Sequence, residues 1–103
     1  MNRVTLAIIV TAATAASFGA RASDALASKY ACVACHAAER KVVGPSWKEI
    51  ATKYADGSKP APALAASLKA GGSGKWGTIP MPPQPTLSDA DAKTLAEWIL
   101  TKK

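Results

Sequence analysis

The hydrophobic and polar positions along the chain, read with their capping residues, predict helices and no strand. Ser23 is a candidate N-cap for a first helix, residues 24–36, with the sequence DALASKYACVACH. Ser46 and Glu49 have the spacing of a capping box, which predicts a second helix through WKEIATKYA. The dipeptide Asp56-Gly57 is typical of the stop that would follow it.

Two further helices are predicted in the second half of the chain. The segment APALAASLKA, residues 61–70, is entered through Pro60 and ends at Gly71-Gly72. Ser88, with Asp91 three residues on, opens the last helix, which has the sequence DADAKTLAEWILTKK. Its apolar side would consist of Leu87, Leu95, Trp98 and Ile99.

These elements predict an all-α fold of about four short helices joined by loops rich in glycine and proline. One of these loops, residues 71–87, is long for so small a domain. Loops of this length without secondary structure are usually functional or disordered. Because prolines restrict the backbone and the loop also contains Trp76, we expect it to be ordered and held against something.

The N-terminal segment has the pattern of a secretory signal peptide. A short basic start, MNR, precedes the uncharged apolar run VTLAIIVTAATAASF and the small-x-small motif Ala20–Ala22. An uncleaved membrane anchor is the alternative, but the run is shorter than the roughly 20 residues of a spanning helix. We therefore predict cleavage after Ala22, a mature domain at residues 23–103, and a periplasmic location.

The charge of the chain is moderate and scattered, with a formal net value of +6 at pH 7. No basic stretch is interleaved with aromatic residues, so nucleic-acid binding is not expected. A positive charge of this kind suits solubility and weak steering towards an acidic partner. A domain this small often needs a covalent or cofactor staple, and the chain has two cysteines to provide one.

The motif CVACH, Cys32 to His36, carries the strongest chemical signal. A C-x-x-C pair is typical of a dithiol redox site, of two zinc ligands or, when His follows, of c-type haem attachment. A closed zinc site needs about four ligands, and the chain has only one histidine. A dithiol site would accompany a βαβ pattern, which is absent, and a Cys32–Cys35 disulfide would close too small a loop to stabilise much.

Haem attachment agrees with every element of the motif. On a helix, Cys32 and Cys35 would share a face and reach the two vinyl groups of one porphyrin. The imidazole of His36 would bind the iron from one side. Covalent attachment of one haem c would also explain how residues 23–103 form a core, because the macrocycle would lie at its centre.

The second iron ligand is predicted to be Met81. His36 is the only histidine, and Met81 is the only methionine after Met1. A lone methionine is often core filler, but this one lies between Pro80 and Pro82. Prolines lower the entropy of the free loop, so the weak thioether ligand would be held in position, and a His/Met pair raises the reduction potential.

Residues 24–103 resemble the small bacterial class I cytochromes c of the cytochrome c-551/c-552 group. The resemblance rests on CVACH, VGPSW, GSGKWGTIPMPP and LAEWIL in this order. It implies that the first and last helices are in contact. It also implies that the backbone carbonyl of Pro45 accepts a hydrogen bond from His36, and that Trp76 donates one to a haem propionate. Trp47 and Trp98 are interpreted as core residues.

Two positions depart from the pattern of this group. Ser67 stands where relatives often carry an arginine or lysine that reaches a propionate, so cationic support would be weaker there. Ala31 stands where the residue before the first haem cysteine is often glycine. Neither departure affects the predicted iron ligands.

The resemblance implies a monomeric periplasmic one-electron carrier that docks transiently with redox partners. A membrane quinol-oxidising complex would be its donor, and a terminal reductase or oxidase its acceptor. Lys41 and Lys75 are candidate docking charges, although both could be ordinary solvated lysines. An enzymatic role is not expected. The alternative is a haem-based sensor or peroxidase-type module in which Met81 is displaceable.

Overall fold

The structure, a computed structural model of the chain, describes residues 8–11 and 18–103. A short 3₁₀ helix, Cys32–Ala34, lies between the first two α-helices. No strand occurs within the described ranges, which contain only the isolated bridges His36–Lys41 and Gly72–Met81. The all-α prediction is therefore confirmed. The α-helices are α1 (Phe18–Lys29), α2 (Trp47–Lys53), α3 (Ala61–Ala70) and α4 (Asp89–Leu100).

Two of the predicted helix starts, those of α2 and α4, are confirmed by their caps. The Ser46 hydroxyl accepts a hydrogen bond from the Glu49 N–H at 3.0 Å. The Ser88 hydroxyl accepts the equivalent bond from the Asp91 N–H at 3.1 Å. Because each bond satisfies a backbone donor that has no partner within its helix, short-range sequence signals were sufficient to place both helix starts.

The prediction for the first helix was wrong at both ends. α1 begins at Phe18, so Ser23 is a buried residue inside the helix and does not cap it. α1 also ends at Lys29 instead of continuing to residue 36. The reason is Ala31, whose φ of 58° is left-handed. A right-handed helix cannot continue through such a residue, and the chain resumes as the 3₁₀ turn.

Most of the predicted signal peptide, residues 1–7 and 12–17, lies outside the described residues. Within residues 8–11, Ile8, Ile9 and Val10 are exposed. The cleavage bond expected after Ala22 falls inside α1, and cleavage stays a prediction. Among the described residues, no helix is long and apolar enough to cross a membrane.

The core is organised around α4, which contacts α1, α2 and α3. The contact between α1 and α4 confirms that the terminal helices meet. Ala92 and Ala96 are fully buried on α4, and these small residues four positions apart let a neighbouring helix approach closely. The other buried core residues include Ala27, Trp47, Ile50, Leu64, Leu87, Leu95, Trp98 and Ile99.

A hydrogen bond also connects the C-terminal end of α1 to the N-terminal end of α4. The hydroxyl of Tyr30, directly after α1, donates a 2.6 Å hydrogen bond to the Asp91 carboxylate in the first turn of α4. Tyr30 immediately precedes the left-handed Ala31. The position of the CVACH motif is therefore tied to α4 on its N-terminal side.

Replacing Ala31 with glycine is expected to stabilise the protein by about 0.5–1 kcal/mol. A left-handed alanine costs about 1–2 kcal/mol, and the greater freedom of glycine in the unfolded chain offsets roughly 0.5–1 kcal/mol of that gain. Thermal unfolding should show a rise in Tm of several degrees. The control is Ala66→Gly in the middle of α3, which should cost about 1 kcal/mol. If Ala31→Gly and Ala66→Gly destabilise the protein equally, the backbone strain assigned to Ala31 is contradicted.

Candidate haem site

The two cysteines lie on one side of a tight turn, although not on the α-helix that was predicted. The backbone N–H groups of Cys35 and His36 both donate to the Cys32 carbonyl, at 3.1 and 3.0 Å. In a 3₁₀ helix, side chains three residues apart eclipse each other. Both thiols are free and partly buried, so they remain candidates for two attachments to one flat group.

Burial raises the pKa of the Cys32 thiol, and the neighbouring Cys35 raises it further. A hydrogen bond to the Cys32 backbone acts in the opposite direction but does not reverse the shift. A thiol that resists ionisation is a poor ligand for zinc, which is bound by thiolates. Within the described residues, no group of three or more His, Cys, Asp or Glu side chains could hold a metal ion. The donor set therefore does not fit a zinc site.

The imidazole of His36 is held by the backbone of Pro45. The Nδ1 atom of His36 lies 2.6 Å from the Pro45 carbonyl oxygen. Because a carbonyl only accepts hydrogen bonds, Nδ1 must carry the proton and donate it. In the neutral imidazole, Nε2 is then the unprotonated nitrogen, with its lone pair free to bind a metal ion. The hydrogen bond that the family resemblance implied is present in the structure.

Trp47 lies closer to the site than its interpretation as a core residue indicated. It is buried, as expected, but its ring also stacks on the His36 imidazole with centroids 4.7 Å apart and planes 23° apart. Its other neighbour is Trp98, whose ring meets it edge-on at 5.5 Å. Sequence reasoning missed the stacking. The only available signal was the position of Trp47 two residues after Pro45.

Met81 lies in the loop between α3 and α4 and is partly buried. Its backbone forms a two-way bridge with Gly72, with N···O distances of 3.0 and 2.7 Å. The backbone thus holds Met81 at the base of its loop, in addition to the neighbouring prolines. Cys32, Cys35, His36 and Pro45 lie on a different segment, and a cofactor bound by both segments would connect them.

Gly71 has a second function beyond ending α3. Its φ of 68° and ψ of −165° fall in a region that is essentially restricted to glycine. A Cβ atom at this position would also lie 2.8 Å from backbone atoms of Pro82 and Pro83, and would meet the Met81 carbonyl. The Met81 segment therefore packs directly on the backbone of Gly71.

Trp76 lies at the centre of a lysine cluster, which comprises Lys53, Lys59 and Lys75. The Lys53 Nζ atom is 4.4 Å from the Trp76 ring centroid and 3.4 Å from the Lys75 carbonyl. Tyr54 meets Trp76 edge-on at 6.2 Å and lies 5.4 Å from the Lys59 Nζ atom. Lys53 thus lies over the indole that was predicted to face a propionate.

In the part of the chain that the structure describes, no acidic group lies within ion-pair distance of the lysine cluster. The ion pairs found among the described residues, Lys69–Asp89 and Lys93–Glu97, lie elsewhere. Burial and the nearby charges of the other two lysines lower the pKa of Lys59 to about 8.

Comparison with known proteins identifies the family. The family profile described as cytochrome c matches residues 20–103. The chain belongs to the cytochrome c family. It is 58% identical to cytochrome c-552 of Nitrosomonas europaea over 84 residues, and this aligned region covers 82% of each protein. Over 72 residues it is 61% identical to cytochrome c-551 of Azotobacter vinelandii, covering 70% of this chain and 87% of that protein.

The crystal structure of wild-type Nitrosomonas europaea cytochrome c552 has the same fold. It matches with a TM-score of 0.75 and 59% identity, and covers 78% of this chain and 99% of the other. The predicted membership of the class I c-551/c-552 group is therefore confirmed. The chain is a cytochrome c electron carrier with one covalently bound haem c and its iron.

The described residues fit this cofactor. Cys32 and Cys35 provide two free thiols three residues apart. His36 provides an Nε2 lone pair in a fixed tautomer. The roles of these residues, and those of Met81 and Trp76, stay predictions.

Replacing Gly71 with alanine should destabilise the haem-loaded protein by roughly 2–5 kcal/mol. The new methyl group combines backbone strain of about 1–3 kcal/mol with overpacking of similar size. Because the displaced atoms belong to Met81, Pro82 and Pro83, carbon monoxide should also bind the reduced variant faster. Guanidinium unfolding and flash-photolysis rebinding would measure the two effects.

Gly72→Ala is the matched control for this change. Gly72 has no left-handed φ, and a Cβ atom there would have no neighbour within 4 Å. We expect the free energy of unfolding of Gly72→Ala to differ from wild type by less than about 0.5 kcal/mol. Similar stabilities for Gly71→Ala and Gly72→Ala would show that the close packing of the Met81 segment on Gly71 is unimportant.

Proposed function

We propose that the protein is a periplasmic one-electron carrier whose haem iron is bound axially by His36 and Met81. The observation that carries the proposal is the 2.6 Å hydrogen bond from His36 Nδ1 to the Pro45 carbonyl. This bond directs Nε2 to a metal and increases its basicity. Bound haem supplies a one-electron iron couple, and the protein has only to keep both ligands in place.

Met81 is proposed as the second ligand because the chain offers no other neutral donor of comparable fit. The sequence has one histidine, and its only other methionine is Met1. The Gly72–Met81 bridge and the adjacent prolines restrict the Met81 backbone before any ligand binds. A ligand that is already positioned moves little between oxidation states, which favours rapid electron transfer. Such a site leaves no open iron position for catalysis, so we propose no enzymatic activity.

Cys32 and Cys35 are proposed to form the covalent attachment. In each case the thiol S–H would add across a vinyl C=C bond, which creates a thioether without any net oxidation or reduction. Burial raises the pKa of the Cys32 thiol, which favours the S–H form over the thiolate. Attachment of this type would also use both cysteines, and the chain has no others.

The proposed periplasmic location rests on the N-terminal pattern. The basic start, the uncharged apolar run and Ala20–Ala22 together form the expected export signal. Removal of residues 1–22 would place the new N-terminus at Ser23, within the segment that forms α1 here. The first turn of the mature helix would then be remodelled, while Ala27 would remain in the core.

Redox partners are proposed to dock transiently, with a membrane quinol-oxidising complex as donor and a terminal reductase or oxidase as acceptor. The lysine cluster around Trp76 is the best-supported contact surface, because its charge is not balanced by ion pairs. Lys75 and Lys53 are exposed within it, and Lys41 is exposed beside the His36–Lys41 bridge. Such charges would increase the encounter rate with an acidic partner surface at low salt.

Replacing Lys75 with glutamate should slow reduction or oxidation by a physiological partner about tenfold at low ionic strength. The visible spectrum should not change, because Lys75 is not proposed as an iron ligand. Stopped-flow mixing at several salt concentrations would measure the rate. Lys103→Glu is the control, since it changes the net charge equally at the chain end. If both variants react equally fast, Lys75 has no specific role in docking.

Replacing Met81 with alanine should leave the haem covalently attached but open the iron to external ligands. Carbon monoxide should then bind the reduced variant rapidly, and the midpoint potential should fall, because a Met ligand raises the potential. Ile79→Ala is the control, since Ile79 is 65% exposed in the same loop. Absorbance after mixing with carbon monoxide would measure binding.

The same experiment tests the alternative, a sensor or peroxidase-type module with a displaceable Met81. In that case the reduced wild-type protein would itself bind carbon monoxide rapidly. If the Met81→Ala variant resists carbon monoxide, another residue closes the iron site and the proposed ligand is wrong.

A further inference from the structure

We propose that Gly44 and Trp47 fix the orientation of the His36 imidazole, and that Trp98 on α4 supports Trp47 from behind. Gly44, Pro45 and Trp47 are called the His36 cradle below. The inference rests on the proposed function, because it gives the cradle a role in setting the geometry of an iron ligand. It assigns positioning roles to three residues that do not themselves bind iron.

A single hydrogen bond does not determine the orientation of the imidazole. The bond from Nδ1 to the Pro45 carbonyl fixes one atom of the ring at 2.6 Å. The ring remains able to tilt around the line that joins these two atoms. Further contacts with the ring are therefore needed if its plane is to have one orientation.

Gly44 provides the first of these contacts. A Cβ atom built on Gly44 would lie 2.6 Å from Cε1, 3.0 Å from Nδ1 and 3.2 Å from Nε2 of His36. Real Cβ atoms essentially never approach other atoms to less than 3.0 Å, so the ring occupies the space of the missing side chain. Because the φ of Gly44 is not left-handed, the glycine is needed for the ring and not for the backbone.

The loop that carries Gly44 is itself anchored to the haem-binding motif. The Gly44 N–H donates a 2.8 Å hydrogen bond to the Cys35 carbonyl, and the Trp47 N–H donates one of 2.9 Å to the Ala37 carbonyl. These bonds connect the cradle to the residues on both sides of His36. The cradle and the imidazole therefore form one unit with little freedom to shift independently.

Trp47 provides the second contact. Its ring covers the imidazole at a centroid distance of 4.7 Å and an interplanar angle of 23°. Stacking at this angle opposes tilting of the imidazole plane, which the hydrogen bond alone leaves open. Trp47 is only 6% exposed, so its own ring has little room to turn.

Trp98 connects this contact to the C-terminal helix. Its ring meets Trp47 at 5.5 Å and 65°, and the Lys102 Nζ atom lies 4.7 Å from its centroid. Among the described residues, the buried Trp98 Nε1 atom has no hydrogen-bond partner. Trp98 contacts Trp47 through its ring, so phenylalanine should support Trp47 nearly as well. The consequence is that α4 influences the iron ligand through two aromatic rings.

The orientation of an axial imidazole has a direct magnetic signature in the oxidised protein. Unpaired spin on low-spin ferric iron spreads to the porphyrin in a pattern that depends on the ligand planes. The hyperfine shifts of the four haem methyl groups report that pattern in proton NMR. A change confined to core stability would lower Tm without reordering these shifts.

The experiment compares Trp47→Leu with Trp47→Phe, and Trp98→Leu with Trp98→Phe, in the haem-loaded protein. We expect Trp47→Leu to change the spread of the methyl shifts, and Trp98→Leu to change it in the same direction by less. Both phenylalanine variants should stay close to wild type. Gly44→Ala should change the spread most strongly, whereas Ala66→Gly, on the exposed side of α3 and outside both ligand segments, should not.

Several outcomes would overturn the inference. Unchanged methyl shifts in Trp47→Leu, with only a lower Tm, would reduce Trp47 to a core residue, even if Gly44→Ala did not yield folded protein. If the Met81 ε-methyl signal of the reduced variants shifts, the substitutions have altered the Met81 side of the site and not the His36 orientation. High-spin iron in the wild-type protein would instead contradict the proposed His36/Met81 ligation itself.

Discussion

The hydrogen bond from His36 to the Pro45 carbonyl is the contact on which the site depends. It joins the haem-binding motif to the residues that start α2 and selects one tautomer of the imidazole. Without it, the ring nitrogen that should bind iron would not be specified. The surrounding fold preserves this contact, because Trp47 in the first turn of α2 packs on both the imidazole and α4.

Both proposed iron ligands lie against a glycine, for different physical reasons. Gly44 has an ordinary backbone conformation and leaves space for the His36 ring. Gly71 has a conformation restricted to glycine and leaves space for the backbone of the Met81 segment. At both positions the ligand residue packs directly against the glycine backbone, with no side chain between them. This solution suits a small domain, since little polypeptide is available to surround a large cofactor.

The features that could be predicted from the sequence are those that depend on residues close together along the chain. The serine caps of α2 and α4, the bounds of α3 and the CVACH motif all have short-range causes. The start of α1 and its break at Ala31 were missed, because an alanine in the left-handed region has no local signature. The stacking of Trp47 on His36 and the lysine cluster around Trp76 were missed as well. Both bring together residues from separate segments, and periodicity and spacing do not report such contacts.

The central proposal is that Met81 and His36 are the two protein ligands of the haem iron. Proton NMR of the reduced haem-loaded protein tests it most directly, because a group on the porphyrin axis experiences a strong ring-current shift. We predict that the ε-methyl signal of Met81 lies upfield of every other methyl signal in the protein. A Met81 ε-methyl signal at the ordinary position for methionine would contradict the account.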